Sequence, residues 1–193
     1  MVTAEAEVKV ALTNAEYASI PNCLLALGFT LQHAKDLTDY YLSREWSADG
    51  GWDYRRLRDT GGETCILTEK RWITDAAGHL VRLEAEEELP RVACTPLITD
   101  ASPALTLRKH RDSYIGAIDG APATIVLDAL TLVDQVSYYL ECEILTSPEQ
   151  ATEARVRIRT WLTDALALGD RPEAPSMLEL LLGAAESGTR TIR

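Results

Sequence analysis

Charged and apolar residues alternate at the start of the chain. Residues 5–9 read Glu-Ala-Glu-Val-Lys, so every second residue is charged and the residues between are small or apolar. Successive side chains of a β-strand point to opposite faces, so this stretch predicts a strand over residues 3–11 with one ionic face. The same alternation predicts strands at 104–117, 122–132 and 137–146, with a two-residue turn at Asp119–Gly120.

Turn residues divide the middle of the chain. TGGE at 60–63 and DAAGH at 75–79 each predict a turn between two strands. Residues 30–43 are predicted to be extended, and 47–52 to be a loop. Residues 89–103 contain three prolines and little periodicity, which predicts a loop or a short helix on the rim of the sheet.

Helical spacing replaces the alternation in three places. Asn14 is a candidate N-cap for a helix that is broken or restarted at Pro21 and ends near Gly28. Residues 148–168 have helical spacing, and a last short helix is predicted over SMLELLLGAAE at 176–186. The chain is therefore predicted to be an α+β protein in which strands dominate the middle.

Composition restricts the function classes. The 193 residues predict one domain, 1–193, and a net charge of −11 argues against a nucleic-acid partner. The longest apolar stretch, residues 23–31, is too short to cross a membrane, and the first residues do not resemble a signal peptide. The cysteines have no metal-ligand or paired spacing, so they predict free thiols in a reducing cytoplasm: Cys23, Cys65, Cys94 and Cys142.

Ionic positions two residues apart recur in the later predicted strands. Each such pair has an ordinary explanation, because antiparallel sheets commonly have one face in water. Taken together, the pairs also fit a closed sheet with a charged lumen, since a barrel of about eight strands can hold one small ligand. Such a lumen suits a polyphosphate chelated to a divalent metal. The positions are Arg56, Arg58, Lys70, Arg82, Glu84, Glu86, Lys109, Arg111, Asp128, Glu141 and Glu143.

This series of motifs resembles the CYTH superfamily of triphosphate tunnel metalloenzymes. Glu5-Ala6-Glu7-Val8-Lys9 is similar to the ExExK signature of that family, and the later pairs follow in family order over roughly residues 3–183. The closing SMLELLL is similar to a C-terminal helix motif of cyclase-like and thiamine triphosphatase-like members. The resemblance implies a closed or nearly closed antiparallel eight-stranded β-barrel tunnel with peripheral helices.

The resemblance also implies a set of site residues. Lys9, Lys70 and Tyr40 are the candidate catalytic residues, and Glu84 and Glu86 are additional lumen candidates. Mg²⁺ or Mn²⁺ is expected as the cofactor. Its expected ligands are Glu5, Glu7, Glu141 and Glu143, with Asp128 in or near the metal shell. The expected triphosphate-binding residues are Lys9, Arg56, Arg58, Lys70, Arg82, Lys109 and Arg111.

Three functions agree with these motifs. The first is a metal-dependent triphosphatase acting on tripolyphosphate, thiamine triphosphate or a nucleoside triphosphate. The second is a class IV adenylyl cyclase, and the third is a non-catalytic polyphosphate-binding module. The filled carboxylate positions disfavour the binding module, and the hydrolase requires neither a purine pocket nor an aligned ribose. The hydrolase is therefore the preferred hypothesis, with a homodimer as a compatible assembly.

Overall fold

The computed structural model describes residues 4–48, 51–74, 78, 80–100, 105–132 and 135–186. The helices are α1 (Asn14–Ala26), α2 (Arg91–Asp100), α3 (Ala151–Leu166) and α4 (Met177–Glu186), and a 3₁₀ turn (Pro148–Gln150) precedes α3. The strands are β1 (Ala4–Leu12), β2 (Thr30–Trp46), β3 (Trp52–Asp59), β4 (Thr64–Thr74), β5 (Leu80–Pro90), β6 (Leu105–Ile118), β7 (Ala121–Leu132) and β8 (Gln135–Thr146).

The strands form one closed antiparallel barrel in the order β1-β5-β4-β3-β2-β6-β7-β8. The predicted antiparallel tunnel with peripheral helices is thereby confirmed. Seven of the eight strand contacts are long ladders, and the eighth, between β1 and β5, consists of the single residue pair Ala4 and Leu83. Alternate side chains of a strand point to opposite faces of the sheet. Closure of the sheet therefore places the charged face of each strand inside the barrel.

On the β1 side of the barrel, the apolar faces of the strands point outward and are covered by helices. Val8 and Val10 of β1 and Leu140 of β8 pack in one buried cluster with Ile158 and Leu162 of α3. Each fully buried side chain of this size contributes about 1.5–3 kcal/mol relative to an exposed one. The barrel is therefore supported from outside, which frees its interior for polar side chains.

Two expectations about α1 are wrong in detail. The N-cap is Thr13 rather than Asn14: its hydroxyl accepts a hydrogen bond from the Glu16 amide, and Glu16 accepts one from the Thr13 amide. This reciprocal capping box satisfies two amides that the helix start leaves without partners. Pro21 lies inside one continuous helix and does not break it.

The turn between β6 and β7 is as predicted. Asp119 has φ 49° and Gly120 has φ 79°, the positive values that a type I′ hairpin turn requires at both central residues. The segment 89–103 contains a short helix, α2, which is one of the two predicted alternatives. The predicted turn at 75–79 lies outside the described residues except for residue 78.

Helix α4 packs against one end of the barrel interior. Met177, Leu178 and Leu181 of α4 are buried in a cluster with the lumen-facing residues Tyr41 and Leu107. This apolar layer separates the charged section of the lumen from one end of the barrel. No helix among the described residues is both long and apolar enough to cross a membrane.

Candidate active site

The barrel encloses a cavity of about 1060 Å³. Its walls carry most of the predicted ionic residues, together with Tyr41, Tyr54 and residues near the start of α4. The predicted site residues that border it are Glu5, Lys9, Arg56, Arg58, Lys70, Arg82, Glu84, Glu86, Lys109, Arg111, Glu141 and Glu143.

Asp39 of β2 is a fully buried carboxylate that holds three of these cations. Its two oxygens accept hydrogen bonds from Arg58 Nε at 2.7 Å and Nη2 at 3.1 Å. Lys109 Nζ lies 3.4 Å from Asp39 Oδ2, and Arg56 Nη1 lies 3.8 Å from the same oxygen. Burial opposes ionisation, but Lys109, Arg58 and Arg56 hold the pKa of Asp39 well below its ordinary value.

Asp128 of β7 makes a similar set of contacts on the neighbouring strand pair. It accepts hydrogen bonds from Arg111 Nε at 2.7 Å and Nη2 at 2.6 Å, and from Lys109 Nζ at 3.2 Å. Arg111 Nη2 also donates to Glu141 Oε2 at 3.2 Å, which connects β6 to β8. Both Asp128 oxygens are therefore occupied by cations in this state.

The β1 side of the lumen continues the alternation of charges. Lys9 Nζ lies 3.2 Å from Glu141 Oε1 and 3.5 Å from Glu7 Oε1. Arg82 forms ion pairs with Glu7 and with Glu5, the latter at 3.2 Å. Lys9 and Arg82 thus bridge the carboxylates that the sequence predicted as metal ligands.

Lys70 of β4 and Arg56 of β3 continue the series of ion pairs from the β1 side to Asp39. Lys70 Nζ lies 2.7 Å from both Glu5 Oε2 and Glu84 Oε2, and Arg56 Nη2 lies 3.9 Å from Glu84 Oε1. Burial alone would lower the pKa of Lys70, but the Glu5 and Glu84 carboxylates raise it well above the ordinary value. Lys70 is therefore an ammonium ion in the tunnel, suited to bind anions rather than to accept a proton.

These contacts join into a closed loop, which we call the charge ring, in which cations and carboxylates alternate around the lumen. All strands of the barrel contribute to it, and its formal charges balance. Arg58, on Asp39, and Glu86, 3.8 Å from Arg56, are side branches. In order the ring is Arg56, Asp39, Lys109, Asp128, Arg111, Glu141, Lys9, Glu7, Arg82, Glu5, Lys70 and Glu84.

Glu143 lies outside the ring. It pairs in register with Glu7 across β1 and β8, and within the described part of the chain it forms no ion pair or hydrogen bond. Burial first, and then the charges of Glu5 and Glu141, raise the pKa of Glu143 to about 8. Burial also raises the pKa of Glu84, to about 7. Glu143 is thus a partly buried carboxyl with free acceptor capacity beside the other glutamates.

Several buried donors in the lumen also lack partners. Arg56 Nε, Arg82 Nε and the Tyr41 hydroxyl are buried without a hydrogen-bond partner among the described residues. A buried donor without an acceptor costs about 1–3 kcal/mol, so such groups call for an explanation. An anion entering this cavity would supply the missing acceptors.

The carboxylates suit Mg²⁺ chemically but are turned toward cations. Within the described residues, no three Asp, Glu, His or Cys side chains are gathered as a metal site would need. Glutamate oxygens are the hard ligands that Mg²⁺ prefers, and unpaired Glu143 adjoins Glu5, Glu7 and Glu141. The donor set fits a divalent cation once the lysines and arginines have other partners.

Tyr40 does not lie in the lumen, so its predicted place in the site is wrong. It packs on the outside of the barrel against a cluster that includes Leu57, Leu67 and Cys94 of α2. Strand parity explains the error, because Tyr40 pairs with the outward-facing Leu57 whereas its neighbours Asp39 and Tyr41 face inward. The tyrosines that border the cavity are Tyr41 and Tyr54.

Asp39 was not predicted as a site residue. No second charge lies two residues from Asp39 on the same face of its strand, where Leu37 and Tyr41 stand. The sequence did offer one indication, the spacing of Asp39 from its neighbours. Leu37, Asp39 and Tyr41 lie on the same face of the strand, and all three are buried.

The sequence matches no protein-family model and no curated protein. Its fold resembles solved structures. The protein PH1819 of Pyrococcus horikoshii is 19% identical with a TM-score of 0.62, and the match covers 93% of this chain and 98% of the other. A candidate adenylate cyclase of Bacillus halodurans is 17% identical with a TM-score of 0.58, over 93% of this chain and 98% of that one.

A third structure is a candidate adenylyl cyclase of Hippeastrum, described as having a dominant triphosphatase activity. It is 17% identical with a TM-score of 0.56, and the match covers 95% of this chain and 96% of the other. At these identities the likeness concerns the fold. The chain has the tunnel fold of these proteins, the fold that its strand motifs predicted through their resemblance to the CYTH superfamily.

Proposed function

We propose that this protein is a divalent-metal-dependent triphosphatase that hydrolyses the terminal phosphoanhydride of tripolyphosphate or of an organic triphosphate such as thiamine triphosphate. The observation that carries the proposal is the charge ring around the cavity. A ligand that replaces its ion pairs must offer anionic oxygens to the lysines and arginines and a cation to the glutamates. A triphosphate with bound metal offers both.

The charge balance of the ring supports a requirement for metal. A free triphosphate would add several negative charges to a lumen whose cations already have carboxylate partners. Charges in a buried site are weakly screened, so this excess would be costly. Divalent cations would neutralise it by taking over the glutamates as the phosphate oxygens take over the lysines and arginines.

Glu5, Glu7, Glu141 and Glu143 are the residues that would hold Mg²⁺ or Mn²⁺. A divalent cation bound there would neutralise phosphate charge and lower the pKa of a coordinated water. Asp128 is better suited to be a counter-ion than a ligand, because both its oxygens accept hydrogen bonds from Arg111.

The chain's own cations have a positioning role in this proposal. Lys9 leaves Glu7 and Glu141 for phosphate oxygens, and Lys70 of β4 contributes a further positive charge. Arg56 and Arg82 each have a buried Nε without a partner that can donate to the ligand. Phosphoryl transfer depends mainly on such positioning and charge stabilisation.

Adenylyl cyclase is the competing activity. A cavity of about 1060 Å³ can also admit a nucleotide, and Tyr41 and Tyr54 form an edge-on aromatic pair at its wall. The Hippeastrum neighbour is described as a candidate cyclase with a dominant triphosphatase activity, which supports testing both activities here. The cyclase must also align a ribose 3′-hydroxyl with the α-phosphorus, and a misplacement of about 1 Å can cost on the order of a hundredfold.

Product identification separates the two activities. The protein is incubated with Mg²⁺ and, separately, tripolyphosphate, thiamine triphosphate and ATP, and the products are resolved by ³¹P NMR and chromatography. We expect orthophosphate from tripolyphosphate or thiamine triphosphate, faster than from ATP. Lys70→Met, purified in the same way, controls for contaminating phosphatases and should be nearly inactive. Cyclic AMP and pyrophosphate as the main products would instead establish the cyclase.

A further inference from the structure

One wall of the tunnel contains a buried arrangement of two aspartates around one lysine. Asp39 and Asp128 each bind one arginine through both Nε and Nη2, with distances of 2.7 and 3.1 Å to Arg58 and of 2.7 and 2.6 Å to Arg111. Lys109 lies between the two carboxylates, 3.4 Å from Asp39 and 3.2 Å from Asp128. The motif is symmetric: arginine, aspartate, lysine, aspartate, arginine.

The side chains of the two aspartates and of Lys109 are almost completely buried, whereas the two arginine side chains keep some exposed surface. The side chains of Asp39 and Lys109 have no exposed surface, and that of Asp128 is 1% exposed. The arginine side chains are 11% exposed at Arg58 and 10% at Arg111, and both border the cavity. Because each aspartate engages the Nε and Nη2 edge, the Nη1 edge of each guanidinium is left for a ligand.

Strand pairing fixes this arrangement. Asp39 is directly opposite Arg58 in β2 and β3, and Arg111 is directly opposite Asp128 in β6 and β7. Directly opposite side chains lie about 4.5–5.5 Å apart at Cβ, so the contacts follow from the register. The wall formed by β3, β2, β6 and β7 is therefore held by cross-strand pairs.

We propose that Asp39, Lys109 and Asp128 form a permanent anchor that positions Arg58 and Arg111 for triphosphate and stays intact when the ligand binds. The proposal rests on the proposed function. It makes Asp39 and Asp128 positioning residues and Lys109 their buried bridge. The exchange of partners is then confined to the other wall, where the glutamates lie.

The charge of Lys109 depends on both aspartates. Burial, and next the charge of Arg111, lower the pKa of Lys109 to about 7, whereas Asp128 and Asp39 act to raise it. Loss of either aspartate would remove one of the two carboxylates that hold Lys109 and release one arginine from its fixed orientation. If the three residues act as an anchor, the protein therefore binds triphosphate more weakly when one of the aspartates is neutralised.

The sign of the affinity change tests the proposal. If Asp39 only screens the cations, then Asp39→Asn removes a negative charge and tripolyphosphate binds more tightly. If Asp39 positions them, affinity falls by about 10–100-fold, the usual effect of removing a supporting partner. Asp36→Asn is the matched control, because Asp36 is on the same strand with a side chain that is 92% exposed and beside His110. It should leave the affinity within about twofold.

Calorimetry with tripolyphosphate and Mg²⁺ measures these affinities in the wild type and both variants. Tighter binding by Asp39→Asn, or unchanged binding, overturns the anchor alone, since the wild type still binds. Absence of wild-type binding overturns the proposed function and the anchor with it. Weaker binding by Asp39→Asn with normal binding by Asp36→Asn supports both.

A measurement on the wild-type protein covers the case in which Asp39→Asn does not fold. The arginine Nε–H signals of Arg58 and Arg111 are recorded by ¹⁵N NMR and assigned with Arg58→Lys and Arg111→Lys. We expect both to exchange slowly with water before and after tripolyphosphate and Mg²⁺ are added, because their aspartate partners do not change. Fast exchange in the free protein, or loss of protection on binding, overturns the anchor.

Discussion

Glu141→Gln is expected to lower the Mg²⁺-dependent release of orthophosphate from tripolyphosphate at least about a hundredfold. Glu141 is buried between Lys9 and Arg111, and although burial opposes ionisation these cations hold its pKa well below the ordinary value. It is therefore ionised at any pH at which the enzyme would work. Glutamine keeps its shape but removes the charge proposed to bind metal. Losing one preorganised electrostatic contact costs about 10²–10³ in rate.

Initial rates at saturating tripolyphosphate measure this effect, with far-UV circular dichroism as the check on folding. Glu87→Gln is the control, because Glu87 is an exposed glutamate of β5 opposite the outward-facing Leu67. It should retain wild-type activity. A folded Glu141→Gln variant with more than about a tenth of wild-type activity would contradict the proposed metal site.

Glu143→Gln is expected to stabilise the ligand-free protein at pH 8 while also removing most activity. Burial and the charges of Glu5 and Glu141 raise the pKa of Glu143 to about 8, from an ordinary value of 4.5. A carboxyl whose pKa is raised by folding stays protonated in the native state after the unfolded chain has lost its proton. Its contribution to stability is full below about pH 4.5 and is lost as the pH rises toward 8.

Glutamine resembles the protonated carboxyl and does not titrate. The unfolding temperature of Glu143→Gln should therefore exceed that of the wild type by several degrees at pH 8, with little difference at pH 5. For a chain of this size about 1 kcal/mol corresponds to about 2–4 °C. Lys109, with a lowered pKa of about 7, has the opposite pH dependence, and comparing the proteins at one pH cancels its effect.

Thermal unfolding of both proteins at pH 5 and pH 8, with and without Mg²⁺, gives the result. Mg²⁺ should stabilise the wild type more at pH 8, where Glu143 can give up its proton, and should have less effect on the variant. Equal Mg²⁺-induced shifts of the wild-type unfolding temperature at pH 5 and pH 8 would contradict the assignment of Glu143 as a partly buried, metal-competent carboxyl. A variant less stable than the wild type at pH 8 would contradict it as well.

Strand parity made much of the tunnel wall predictable. Glu5, Glu7 and Lys9 share one parity, and closure of the sheet directs that parity inward. The turn at Asp119–Gly120 was predictable for a local reason, because both residues tolerate positive φ. Features determined by parity or by local backbone preference can be obtained from the sequence.

Features that depend on the assembled barrel could not be obtained in this way. No charged residue lies two positions from Asp39 on the same face of β2. Its partners Arg58 and Lys109 come from the strands on either side of β2. Tyr40 was wrongly predicted to lie in the lumen because two successive tyrosines, Tyr40 and Tyr41, give no indication of which one faces inward. The closure of the charge ring depends on the order of strands across the sheet, which periodicity along the chain does not contain.

The central claim is that metal and triphosphate divide the charge ring between them. The most direct measurement is an anomalous difference map from crystals grown with Mn²⁺ and a non-hydrolysable tripolyphosphate analogue. We expect manganese peaks within coordination distance of oxygens of Glu7, Glu141 and Glu143, with phosphate density against Arg56 and Arg82. Asp39 and Asp128 should still hold their arginines. Manganese or phosphate bound only outside the barrel, with the ring unbroken, would contradict the claim.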